Sequence, residues 1–141
     1  IGDLDEEANA LSALGRTYDK LGQYEQAQIF YQDALAIFKD ISDVTGEASV
    51  LSQLGENADK QGLYPAALSF YEAALKLHRQ TGNVGRESLS LLNLGQVQIN
   101  LNDLAGAEAS LQQSLEIQER IGVRKDKAET LASLARVESE N

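Results

Sequence analysis

LGRTYDKLGQYEQAQIFYQDALAIF, residues 14–38, is the stretch on which the fold turns. Forty residues later it returns as LGENADKQGLYPAALSFYEAALKLH, residues 54–78. After the same interval comes a more diverged copy, LGQVQINLNDLAGAEASLQQSLEIQ, residues 94–118. Self-similarity at a fixed period of this size implies stacked supersecondary units rather than a single unrepeated core.

The register holds column by column. Leu11, Leu51, Leu91 and Leu131 share one column, and Leu14, Leu54, Leu94 and Leu134 another. Gly15, Gly55, Gly95 and Ala135 follow, then Ala27, Ala67 and Ala107. Tyr31 and Tyr71 become Leu111, Ala34 and Ala74 become Ser114, and Leu35, Leu75 and Leu115 close the pattern. Within a copy, Leu11, Leu14, Gly15 and Tyr18 recur at three- and four-residue steps, which is one face of a helix. Ala27, Tyr31, Ala34 and Leu35 mark the face of a second helix. Gly22, Gly62 and Asn102 stand where the first helix of each copy stops, being the residue types that accept a left-handed backbone. Pro65 opens a second helix, where its missing N–H is not needed. Small residues at Gly15 and Ala27 allow close helix approach, with Tyr31 filling the space between. The pattern predicts seven helices, near residues 6–20, 23–41, 46–60, 64–81, 86–101, 103–121 and 126–139.

The spacing of Leu11, Leu14, Gly15, Tyr18, Ala27, Tyr31 and Ala34 resembles the tetratricopeptide repeat signature. The usual repeat of that family has 34 residues. The period of 40 here resembles its long-repeat subgroup, found in kinesin light chains, in the spindle adaptor Pins and in many bacterial signalling proteins. The bulky aromatic often seen in the Leu11 column is missing, and copy three has lost both tyrosines. The resemblance implies an all-α, right-handed α-solenoid of antiparallel helix pairs, a TPR-like superhelix of about seven helices. Repeats are expected at residues 6–45, 46–85 and 86–125, with residues 126–141 the first helix of a fourth or a cap. Ile1-Gly2-Asp3 aligns with Ile41-Ser42-Asp43, Thr81-Gly82-Asn83 and Ile121-Gly122-Val123, so a segment of a longer array is expected.

Composition narrows the function. Hydrophobic residues make up 43%, enough to bury a core. The net charge of −10, from 22 acidic and 12 basic residues, opposes nucleic-acid binding and docking on anionic membranes. It favours a basic or amphipathic partner. No apolar run is long enough to span a bilayer, and a cytoplasmic location is expected. There is no cysteine for a disulfide, thiolate metal site or thiol nucleophile, and one histidine, His78, is too few for a histidine metal cluster. His78 shares a column with Phe38 and Gln118, which favours packing or solvation over Ser/His/Asp catalysis. The carboxylates lie at helical surface spacing without a phosphate cradle. No cofactor, metal or enzymatic chemistry is expected.

A surface is the better candidate. The resemblance implies that first helices line a concave side. Off their packing face stand Asn9, Ser12, Arg16 and Asp19 in copy one, and Ser49, Ser52, Gln53, Glu56 and Asp59 in copy two. Copy three offers Leu89, Leu92, Asn93, Gln96 and Ile99, and the partial fourth copy Glu129, Ala132, Arg136 and Ser139. Such polar stripes suit an extended or helical peptide. The bland alternative is a solvated face. Chaperone-binding members hold a terminal carboxylate with lysines and asparagines on this stripe; that clamp is not recognisable here. Leu89, Leu92 and Ile99 leave three readings open: an apolar anchor for a partner, burial by a rotated repeat, or cover from a further segment of chain. Asp3, Asp5, Glu6 and Glu7 favour the first helix's N-terminus, and Arg124, Lys125 and Lys127 form either a local binding patch or a solvated loop. The expectation is a protein-interaction module binding a peptide in its concave groove. The alternative is a structural spacer or regulatory arm whose groove is filled by its own chain or by a second copy.

Overall fold

The computed structural model describes residues 2–122 and 124–141, without the side chain of Lys125. Ile1 and Val123 of the aligned tails, and Lys125 of the basic cluster, lie outside the described residues. Seven helices are seen among them: α1 (Gly2–Lys20), α2 (Tyr24–Asp40), α3 (Val44–Lys60), α4 (Tyr64–Thr81), α5 (Val84–Asn100), α6 (Leu104–Ile121) and α7 (Arg124–Glu140). The fold is all-α.

Turn chemistry explains this regularity. Residues with φ between 58° and 78° occur at Gly22, Ser42, Gly62, Gly82, Asn102 and Gly122, each twenty residues after the last. After α1, the Gln23 N–H donates to Tyr18 O at 2.9 Å and the Gly22 N–H to Asp19 O at 3.0 Å. The same pair of bonds follows α2, α3, α4 and α5, so one left-handed residue satisfies the otherwise orphaned carbonyls each time. The repeat of 40 is thus two helix-turn steps of 20. The sequence pattern assigns helix stops to Gly22, Gly62 and Asn102 within copies and none to the equivalent Ser42, Gly82 and Gly122 between them.

Helix starts differ from expectation for a similar reason. α3 and α5 begin two residues early because Asp43 and Asn83 act as N-caps, accepting from the Gly46 and Arg86 N–H groups. α1 reaches back to Gly2, so Asp3 and Asp5 form its first turn rather than preceding it, where they complement the helix dipole.

The chain divides into two compact units, residues 1–77 and 78–141. In the first, α1 packs on α2 and α2 on α3. Its core holds Ala8, Ala27, Tyr31, Ala34, Leu35, Phe38, Val50, Leu51, Leu54 and Ala74. A Cβ added at Gly15 would stand 2.6 Å from Tyr31 Cδ1, and one at Gly55 2.6 Å from Tyr71 Cε1, so both helix pairs close by seating a tyrosine ring on a glycine. In the second unit α5 packs on α6 and α6 on α7. Leu92, Ile99, Ala107, Leu111 and Val137 form a core there, edged by Leu89, Leu104 and Leu134. Leu111 sits over Gly95 as the tyrosines do over theirs.

Candidate functional site

In the first unit, four of the expected surface residues gather around one cleft. Asn9, Ser12 and Arg16 come from successive turns of α1 and Ser49 from α3, over a floor of Phe38, Gly46 and Val50. Its volume is about 140 Å³. Asn9 and Arg16 are exposed and Ser49 is half-buried. Ser12 is buried and donates to Gln53 Oε1 at 2.8 Å, bridging α1 and α3 at the cleft wall. Among the described residues no hydrogen bond or ion pair engages the Asn9 amide, the Arg16 guanidinium or the Ser49 hydroxyl.

Asp19 departs from the expected stripe. It is buried and belongs to a polar network: Tyr31 Oη donates to its Oδ2 at 2.8 Å, and Asn57 Nδ2 to its Oδ1 at 2.8 Å. Asn57 Nδ2 also reaches Tyr24 O at 3.0 Å, and Gln61 Nε2 donates to Asn57 Oδ1 at 2.8 Å. Burial, and next the Asp19 hydrogen bond, push the Tyr31 phenol well above its usual range, so it stays a donor. Sequence reasoning missed this network. Asn57 shares a column with Thr17, Val97 and Val137, and nothing in that column marks it as the partner of an aspartate 38 residues away. Ser52, Gln53 and Asp59 are half-buried, and Glu56 is exposed. Burial raises the Asp59 carboxyl above the usual range.

A larger cleft of about 440 Å³ lies at the α1–α2 turn, lined by Gly22, Gln23, Tyr24, Glu25, Gln26 and Gln61. Its wall is already in use: Gln61 and the Tyr24 carbonyl are both bonded to Asn57. The smaller cleft, with three unengaged polar groups of which Arg16 is a cation, is the better candidate.

The second unit differs at every equivalent position. Leu92 is 0% and Ile99 4% exposed, both inside the core, and Leu89 packs against them. The apolar anchor expected at Leu92 and Ile99 is therefore corrected: of the three readings, burial within the repeat is the one seen. The cause lies in partner residues. Asp19, Tyr31 and Asn57 of the first unit correspond to Ile99, Leu111 and Val137, so a hydrogen-bonded triad has become an apolar one as a set. Gln96 donates to Glu129 Oε1 at 2.9 Å and Ser133 Oγ at 3.3 Å, and Asn93 is half-buried. Arg136 is exposed and lies 4.0 Å from the Glu140 carboxylate. Lys127, in the first turn of α7, lies 3.5 Å from Glu119, which makes it part of a surface ion pair. His78 is buried, and burial foremost, then Arg86, lowers its pKa.

Among the described residues, no three His, Asp or Glu side chains are placed to hold a metal, and no helix is long and apolar enough to cross a membrane. The fold is similar to that of BtubC (BKLC) from P. vanneervenii, with a TM-score of 0.86 at 21% identity, covering 95% of this chain and 56% of that one. It is also similar to the apo form of RapI, with a TM-score of 0.92 at 21% identity, covering 98% of this chain and 38% of that one. This chain thus spans only part of either protein. The first TPR of Spaghetti (RPAP3), solved bound to the HSP90 peptide SRMEEVD, gives a TM-score of 0.76 at 17% identity, covering 96% of this chain and 93% of that one. No curated protein matches the chain. The tetratricopeptide repeat family model matches residues 1–40 and 46–120. With most of its length matched in this way, the chain belongs to the tetratricopeptide repeat family.

Proposed function

We propose that this chain is a protein-interaction module that holds an extended segment of another protein on the α1–α3 face of its first unit. One observation carries the reading: Asn9, Arg16 and Ser49 surround a cleft and leave their polar groups unengaged. The equivalent positions of the second unit are Leu89, Gln96 and Glu129. There the leucine packs on the core, and the glutamine and glutamate bond to each other. Two copies of one repeat, one with its groups satisfied internally and one without, suit a module that binds through the second kind. The peptide seen on the similar fold of Spaghetti supports a peptide as the ligand class. The mechanism is binding without chemistry, on a surface already formed before the ligand arrives.

Ser52, Gln53, Glu56 and Asp59 border this face in the reading, and a cytoplasmic location goes with it. The spacer alternative is favoured for the second unit, whose corresponding groups are engaged within the unit.

The test is a selection of displayed random dodecapeptides on the whole chain. The comparison protein carries the second unit's residues at the exposed positions, Asn9→Leu and Arg16→Gln. Peptides retained by the first and lost by the second, at equal melting temperature, support the reading. Retention of none, or equal retention by both, overturns it.

A further inference from the structure

α3 carries a face that α2 covers. The Phe38 ring of α2 lies over Gly46, where an added Cβ would collide with it. Val50 and Leu54 are buried in one core with Phe38, and buried Asn57 donates to the Tyr24 carbonyl of α2. The four positions are spaced by four, four and three, hence one side of a helix. Forty residues earlier, on α1, the same positions are Glu6, Ala10, Leu14 and Thr17, and all four are exposed. Leu4 near one end and Leu21 just past the other are exposed too. α1 therefore presents a helix-binding face that the other helices of the first unit leave open.

Charge distinguishes it from the face of α3. Where α3 has Gly46 beneath an aromatic ring, α1 has the Glu6 carboxylate. Glu7 stands within the stripe between Leu4 and Leu11, and Asp3 at its border. All three acids are exposed, and among the described residues no hydrogen bond or ion pair engages their carboxylates. The C-terminal turns of α2 lie over the first turn of α3, as Phe38 does over Gly46. A helix laid on α1 in the same way brings its C-terminal turns over Asp3, Glu6 and Glu7. Basic side chains there meet the carboxylates and also suit the negative end of that helix's own dipole.

We infer that this face of α1 docks an amphipathic helix of a partner protein, apolar over Ala10, Leu14 and Leu21, with lysine or arginine in its C-terminal turns. A second copy of this chain is disfavoured, because each copy carries −10 and brings the same acidic turns. The surface is separate from the cleft of the proposed function. Asn9, Ser12 and Arg16, which line that cleft, lie on another side of α1.

Four synthetic helices of about 18 residues provide the test, long enough to cover the five turns of such a face. Each is acetylated and amidated, with leucines at three- and four-residue steps in an alanine and glutamine background. Two flanking positions in the last two turns are both Lys, both Gln, both Glu or both Phe. An exposed ion pair is worth up to about fivefold in affinity. In fluorescence anisotropy at low salt the Lys helix should therefore bind roughly tenfold tighter than the Gln helix, and the Glu helix weakest. Glu6→Gln with Glu7→Gln should erase that preference, and Leu14→Lys should abolish binding of every helix, both at the wild-type melting temperature. Asn9→Leu with Arg16→Gln should leave binding unchanged. Loss of binding in that cleft variant overturns the inference by moving the helix to the cleft. Equal binding of the Lys and Gln helices, or tightest binding of the Phe helix, overturns it in favour of a neutral cover such as a further segment of chain. Sedimentation showing dimers that Leu14→Lys removes overturns it in favour of a second copy. Binding of no helix, or binding that survives Leu14→Lys, overturns it as well.

Discussion

The Tyr31 hydroxyl donates to the Asp19 carboxylate at 2.8 Å across the α1–α2 pair, and Asn57 of α3 holds the other carboxylate oxygen. The three positions change together between units, from Asp, Tyr and Asn to Ile99, Leu111 and Val137. A half-satisfied buried carboxylate is worse than either an intact network or an apolar contact. Tyr31→Phe should therefore cost about 1–3 kcal/mol, by leaving an Asp19 oxygen without its donor. The combined Asp19→Ile, Tyr31→Leu and Asn57→Val protein should lose less than the sum of the three single changes, with coupling of about 0.5–3 kcal/mol. Urea denaturation of the full set decides this, and strict additivity would show that the three residues act independently.

The columns make a second prediction. Leu14 and Leu54 occupy the same repeat position, yet Leu14 is 44% exposed and Leu54 1%. Leu54→Ala should cost about 2–5 kcal/mol and Leu14→Ala no more than about 0.5 kcal/mol. Leu92, fully buried, should behave like Leu54, and Leu92→Asp should lower the melting temperature sharply. A Leu92→Asp protein that melts like the wild type would return that residue to the surface.

These contrasts show how far the sequence could be read. Periodicity places every helix, because Leu, Gly and Ala recur wherever two helices must approach. It cannot say whether a given copy of a column is covered, since that depends on a partner helix rather than on the residue itself. Leu14 and Leu54 are identical letters in different surroundings. The site was legible in part for the same reason. Asn9, Ser12, Arg16 and Ser49 do meet at one cleft, as the polar stripe implies. Asp19 lies on that stripe by spacing alone, and its hydrogen bonds to Tyr31 and to distant Asn57 withdraw it. The apolar letters of copy three looked like an anchor only while their partners Leu111 and Val137 were considered separately.

Turn geometry gives a third test. Ser42 has φ of 58°, where the equivalent positions carry glycine or asparagine. A left-handed backbone costs a β-carbon residue about 1–2 kcal/mol, partly offset in glycine by the greater entropy of its unfolded chain. Ser42→Gly should raise stability by about 0.5–1 kcal/mol, while Gly62→Ala lowers it by about 1 kcal/mol. Opposite signs in one urea series check the shared turn; matching signs would mean that the two turns differ.

His78 makes the last prediction, one of pH. It is buried at the column position held by Gln118 in the next copy. Burial first, and Arg86 next, lower its pKa, with Glu87 opposing. An unfolded histidine titrates near 6.5, so as pH falls below about 6.5 the unfolded chain takes up the proton more readily than the folded one. Its full stability is therefore present above about pH 6.5 and declines as pH drops toward the depressed folded value. The raised carboxyl of Asp59 acts in the opposite sense, since the folded state then binds its proton first, but at the acid end of the range. Comparing the chain with His78→Gln cancels that contribution, because both proteins keep Asp59. Urea midpoints measured from pH 7.5 to 5.5 should fall for the histidine protein and stay flatter for the glutamine one. Parallel curves would mean that His78 takes its proton equally well folded and unfolded, and would overturn the argument from its burial.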